Sequence, residues 1–282
     1  MIAQLLEALL GMLRTKRHGP KIHSHQHLRD VQSQVEEHTS DAPVKKKNAL
    51  QLELEITRIA DQAIEPARPG PRGELWYPDA CIKKGQRIKG TYPKKYPEGA
   101  IVHYTAGRRE YKNRKPYETG EQAMDNSIAK HSYAYFTIGM DGTIWQSIPL
   151  DKWGYHAGKA YHPILNSSSV SKHCVGIEIC NAGPLEEGKS WFKKEYPSDQ
   201  IRTLAPYEYP NCKAGGQFLK YTAAQEQALT DLLLWLHWNN PDVFKLENVY
   251  GHDEVAPTRK TDPGGSLSMS MPAYRRYLLS KV

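Results

Sequence analysis

The sequence predicts an α/β domain, and three observations predict it. AIVHYT (100–105) and HCVGIEIC (173–180) are short runs rich in β-branched and aromatic residues, as strands require. YAYFTIGMDGTIWQSIP (133–149) is two such runs joined by Met-Asp-Gly, a hairpin signature. YTAAQEQALTDLLLWLHW (221–238) carries Leu229, Leu232, Leu233 and Leu236 at helical spacing behind a Thr222 N-cap, and Asn-Asn-Pro stops it.

Length and charge bound the function classes. The 282 residues suit one core domain with an additional segment, and 39% hydrophobic residues suffice for a core. A formal charge of +7 suits an anionic partner such as nucleic acid, a membrane surface or an acidic wall polymer. Cys81, Cys174, Cys180 and Cys212 form no CxxC pair, so neither a zinc ribbon nor a thioredoxin motif is indicated, and reduced thiols are expected.

The opening MIAQLLEALLGML is shorter than the roughly 20 residues of a membrane span. Its basic cluster (Arg14, Lys16, Arg17) follows the apolar run, the reverse of a secretory signal. The expectation is therefore a chain made in the cytoplasm without a signal peptide, with no transmembrane segment. Gln4, Glu7 and Gly11 share one helical face, so an amphipathic helix is predicted, with packing or oligomer contact favoured over weak membrane-surface contact by residues 1–17. Residues 14 to 47 read as a basic polar arm, in which His23, His25 and His27 are a solvated tract. NALQLELEITRIADQAI (48–64) fits both a strand and a helix, and its length favours the helix. PARPGPRG breaks the chain, which divides it into an extension, 1–69, and a core domain, 70–282.

Within HCVGIEIC, Val175, Ile177 and Ile179 face one side, leaving Gly176, Glu178 and Cys180 on the other. A carboxylate at mid-strand must meet water or a cation, because burying it unpaired is costly. Residues 184–216, rich in Pro, Gly, Lys and Tyr, read as a long loop insertion of the kind that covers a cleft. His237 reads as a cap or surface residue, and a last helix is predicted over roughly 272–279.

The chemistry concentrates in YGHDEVAPTRKTDPG (250–264), which has no hydrophobic period. A fold-back stiffened at Pro257 brings His252 and Asp262 together, and His103 on its strand is the third candidate ligand. Two imidazoles and a carboxylate suit zinc and leave its fourth position for water, the pattern of a catalytic site.

VHYTAG, HAG at His156, GIE at Glu178 and GHDEVAPTRKTDPG occur in one order, and this resembles the zinc-dependent N-acetylmuramoyl-L-alanine amidase family, which includes phage lysozyme-type amidases and peptidoglycan recognition proteins. The resemblance covers about residues 98–277, outside the insertion. It implies a central mixed β-sheet flanked by helices and one Zn2+ per chain on His103, His252 and Asp262. It also implies Glu178 as general base and acid, and Lys260 facing the scissile carbonyl. A tyrosine catalytic in some relatives falls near Ala134, beside Tyr133 and Tyr135. Tyr133, Tyr135, Trp153, His156 and Arg259 are the expected substrate groove.

The expected function is hydrolysis of the bond between N-acetylmuramic acid and L-alanine, for cell-wall lysis in the manner of a phage endolysin. The partner is then bacterial peptidoglycan or muropeptides, and the site of action the cell wall. The alternatives are a cytoplasmic wall-recycling amidase and a non-catalytic peptidoglycan-binding module. A nucleic-acid binder is disfavoured because its motifs are missing and the positive charge is dispersed.

Overall fold

The computed structural model describes residues 73–84, 88–106, 119–126 and 135–282. The predicted N-terminal helix, the basic arm, the 48–64 segment and Tyr133 lie outside the described residues.

The centre is a six-stranded mixed sheet. It is built from β1 (Cys81–Ile82), β3 (Gly99–Tyr104), β4 (Phe136–Ile138), β5 (Ile144–Gln146), β7 (Cys174–Ile179) and β11 (Val249–Gly251), in the order β1-β5-β4-β7-β3-β11. All neighbours are parallel except β4 and β5, the predicted hairpin. A small ribbon pairs β2 (Gly90–Thr91) with β6 (Lys152–Trp153).

Alternation along the strands assigns the two faces. Ala100, Val102, Phe136, Ile138, Val175, Ile177 and Ile179 enter the main core. Against them pack α2 (Ala223–Asn239), through Leu229, Leu232, Leu233 and Leu236, and α4 (Met271–Leu279), through Met271, Tyr274 and Leu278. A reciprocal capping box starts α2: Thr222 Oγ1 accepts from the Gln225 amide (3.1 Å) and Gln225 Oε1 from the Thr222 amide (3.0 Å).

The opposite face carries Ile101, His103, Thr137, Gly176 and Glu178. It is covered by α1 (Gly120–Asn126), whose Ala123 packs on Cys180, and by the single turn α3 (His252–Val255), whose Val255 packs with Ile101. Helices therefore flank both faces, as predicted.

The 184–216 segment departs from the expected loop. It contains β8 (Pro184–Leu185) and β9 (Ile201–Leu204), which join β10 (Gly216–Leu219) in a three-stranded antiparallel sheet ordered β8-β10-β9. These strands are too short for an alternating pattern to register in the sequence, and their apolar residues form two small clusters of their own. All four cysteines are free, and no helix among the described residues is long and apolar enough to cross a membrane.

Candidate metal centre and active site

Three segments deliver three ligand atoms to one point. His103 comes from β3, next to its last residue. His252 begins α3, directly after β11. Asp262 returns on the loop that follows, which is closed by a hydrogen bond from the Asp253 amide to the Asp262 carbonyl (2.8 Å). The fold-back expected between His252 and Asp262 is thus present. His103 Nδ1 lies 2.9 Å from His252 Nδ1 and 3.0 Å from Asp262 Oδ2, and His252 Nδ1 lies 2.9 Å from the same oxygen. All three residues are buried.

The far ring nitrogens decide what meets there. The Cys174 carbonyl can only accept, so His156 Nε2, at 2.8 Å, carries the proton and donates it. Burial, with a smaller push from His103, holds the His156 ring well below its ordinary pKa. It is therefore neutral, and its bare Nδ1 accepts from His103 Nε2 at 3.1 Å. Burial and the neighbouring His252 lower His103 to about 4 against the pull of Asp262, so its Nδ1 is bare as well. His252 Nε2 donates to the Ala157 carbonyl at 2.9 Å, which turns its Nδ1 toward the same point. Burial pushes the Asp262 carboxyl up, but its proximity to the two rings outweighs that, so Oδ2 stays an ionised acceptor. Three electron-rich atoms therefore face one another with no proton to spare, an arrangement that a cation at their centre satisfies. The donor set fits a metal ion.

Glu178 stands beside this cluster. It is the register partner of His103 on the adjacent parallel strand and shares its face. Its Oε2 is buried without a hydrogen-bond partner in the protein. Burial, then the Asp262 charge, push its carboxyl up to about 8, while the Lys260 charge opposes them. Lys260 follows α3 on the ligand loop, its amide bonded to the Ala256 carbonyl (3.0 Å), and its charge acts on both Glu178 and His103. The five residues expected to carry the chemistry are thus brought to one locality.

Of the expected groove residues that the structure describes, Tyr135, Trp153 and His156 are buried and Arg259 is exposed. His156 is buried behind His103 as an orienting group, in space left by Gly176: a Cβ there would lie 2.7 Å from His156 Cγ. Tyr135 is buried against the His156 ring, and its hydroxyl donates to the Gly154 carbonyl (2.6 Å). Trp153 is buried on β6 against the exposed ring of Tyr155. Arg259 donates to the carbonyls of Ala157 (2.7 Å) and Lys159 (2.9 Å), which ties the ligand loop to the HAG segment. No local pattern reveals these supporting roles, because each depends on a partner distant in sequence.

A model of N-acetylmuramoyl-L-alanine amidases matches residues 93–265. The chain is 29% identical over 148 residues to the 1,6-anhydro-N-acetylmuramyl-L-alanine amidase AmpD of Escherichia coli (strain K12), which covers 52% of this chain and 58% of that protein. A crystal structure of a selenomethionine AmpD derivative is similar at 23% identity and a TM-score of 0.47, covering 74% of this chain and 99% of that one. The E. coli N-acetylmuramyl-L-alanine amidase AmiD, solved with anhydro-N-acetylmuramic acid-L-Ala-D-gamma-Glu-L-Lys, is 22% identical with a TM-score of 0.41, covering 70% of this chain and 60% of that one. The family match takes in more than half of the chain and includes His103, Glu178, His252, Lys260 and Asp262, and on that ground the chain belongs to the N-acetylmuramoyl-L-alanine amidase family.

Proposed function

We propose that this chain is a zinc-dependent hydrolase of the amide bond between the lactyl group of N-acetylmuramic acid and L-alanine. The observation that carries the reading is the meeting of His103 Nδ1, His252 Nδ1 and Asp262 Oδ2 within 3.0 Å of one another, beside a buried carboxyl oxygen without a partner. Two imidazoles and a carboxylate suit zinc, and three protein ligands are the number catalytic zinc sites use. Zinc held there supplies Lewis acidity, which lowers the pKa of water to about 7 and polarises a carbonyl oxygen.

The rest of the chemistry belongs to side chains of this protein. Glu178 Oε2 accepts the proton of the attacking water, and the same oxygen then delivers it to the departing amine of L-alanine. Its carboxyl must be ionised to begin, and the Lys260 ammonium draws it in that direction. Lys260 also faces the negative charge that develops on the amide oxygen, a contribution of several kcal/mol in comparable sites, roughly 3. His156 and the Ala157 carbonyl hold the two imidazoles in the tautomers that present Nδ1.

The working substrate is proposed to be intact wall polymer, with cell-wall lysis as the outcome, because the charge of +7 draws the chain to an anionic envelope. A second reading, wall recycling on soluble anhydromuropeptides, is favoured by the name of the E. coli relative. Mass spectrometry of digests of intact sacculi and of soluble muropeptides tests both. The expected products are a stem peptide with a free L-alanine amine and a muramic acid with a free lactyl carboxyl. Release from sacculi supports lysis, and release only from soluble fragments supports recycling. Cleavage at any other bond contradicts the proposed activity.

A further inference from the structure

We propose that the three-stranded sheet β8-β10-β9 is a brace that fixes the two segments carrying His103 and Asp262, with Arg202 on β9 as its positioning residue. The inference rests on the metal reading above. Asp262 is followed by Gly264 and Gly265, a pair with more conformational freedom than any other residues confer, so the loop needs outside support to hold its carboxylate.

The sheet supplies that support. Arg202 Nη1 donates to the Gly265 carbonyl at 3.1 Å and also to the Leu267 carbonyl. The Tyr209 hydroxyl donates to the same Leu267 carbonyl at 3.3 Å, and the Tyr221 amide to the Ser266 carbonyl at 2.8 Å. Phe218 packs against both glycines. A Cβ on Gly265 would come within 2.5 Å of Phe218 Cδ2 and 2.9 Å of Leu204 Cδ1. The glycines therefore give the brace its close approach, and the brace restrains the glycines.

The same segment also holds the exit of β3, directly after His103. The Trp191 indole donates to the Ala106 carbonyl (2.5 Å), and Thr105 Oγ1 donates to the Asn181 carbonyl (3.3 Å). Asn181 links both ends, since its amide nitrogen donates to the Leu219 carbonyl (3.1 Å) and its oxygen accepts from Ser266 Oγ (3.3 Å). Ligands must be held to within about half an ångström to bind a metal tightly, and these contacts restrain both carriers at once. Arg202 suits the role because Nη1 of its rigid, planar guanidinium reaches both carbonyls from one fixed position.

The test is zinc affinity of the full chain, measured by competition with a chromophoric chelator, beside thermal unfolding of the stripped protein. Arg202→Ala is expected to weaken zinc binding by about 10- to 100-fold, the range for lost supporting partners, while the stripped protein still unfolds cooperatively. Arg202→Lys recovers only part of the loss, and Lys189→Ala, an exposed change in the same segment outside these contacts, leaves affinity unchanged. If Arg202→Ala does not fold, Tyr209→Phe carries the test, with a several-fold weakening expected. Wild-type affinity in the folded variant overturns the brace alone. A wild-type chain that binds no zinc overturns the metal reading beneath it.

Discussion

His103 and Glu178 are register partners on the adjacent parallel strands β3 and β7, so one face of the sheet presents a candidate ligand imidazole and a carboxyl with an unpartnered oxygen side by side.

Glu178→Gln is expected to keep the fold and the metal and to lose turnover by about 100-fold or more, the usual cost of a missing general base and acid. Near-normal turnover in the variant removes Glu178 from the mechanism.

The same residue predicts a pH effect on the chelator-stripped chain. Burial pushes its carboxyl up to about 8 from 4.5, so between those values the folded chain holds a proton that the unfolded chain has released. The Glu178 contribution to stability therefore falls as pH rises from about 5 to about 8 and is level above that, by up to about 1.4 kcal/mol per pH unit. Urea midpoints of wild type and Glu178→Gln across this range are expected to diverge, the variant gaining as pH rises. Parallel curves contradict the placement of Glu178.

Gly176→Ala tests the orienting role of His156. The new methyl would lie 2.7 Å from His156 Cγ and 2.9 Å from its Nδ1, so the ring must leave its bond to His103. Zinc affinity is expected to fall by about 10- to 100-fold. Unchanged affinity means that His156 does not orient the ligand.

Lys260→Ala is expected to lower kcat by about 100-fold with zinc content retained, because its ammonium acts on the developing oxyanion and contributes no ligand atom. A loss confined to KM assigns Lys260 to substrate binding instead.

The segment 1–69 is proposed to deliver the enzyme to its polymer, since the proposed chemistry draws nothing from it. Deleting it is expected to leave turnover of a small muropeptide nearly intact and to weaken binding to sacculi in a salt-dependent way. Loss of turnover on the soluble substrate contradicts the boundary near Gly70.

The parts of the site legible in the sequence are those where a local rule fixes a direction. Period two along HCVGIEIC put Glu178 opposite Val175, Ile177 and Ile179, and the core takes up those three. Thr222 and Gln225 announced the start of α2, and the Pro-rich loop with two potential ligands announced a fold-back. The rest is tertiary. His156 takes its role from a carbonyl on β7 and a glycine that leaves it room, and neither is visible from His-Ala-Gly. β8, β9 and β10 run two to four residues and are held by Asn181, Arg202 and Phe218 rather than by any period of their own. α1 begins at a glycine and spans only seven residues, too few for helical periodicity to stand out.

The central claim is that His103, His252 and Asp262 hold one zinc ion on which amide hydrolysis depends. The most direct measurement strips the chain with a chelator, returns zinc in substoichiometric steps, and follows bound metal and muropeptide turnover in the same samples. Turnover is expected to be near zero at the start, to rise in proportion to bound zinc and to level off at one ion per chain, and His103→Ala is expected to take up none. Full turnover in the stripped protein, or zinc uptake by His103→Ala equal to wild type, would contradict the account.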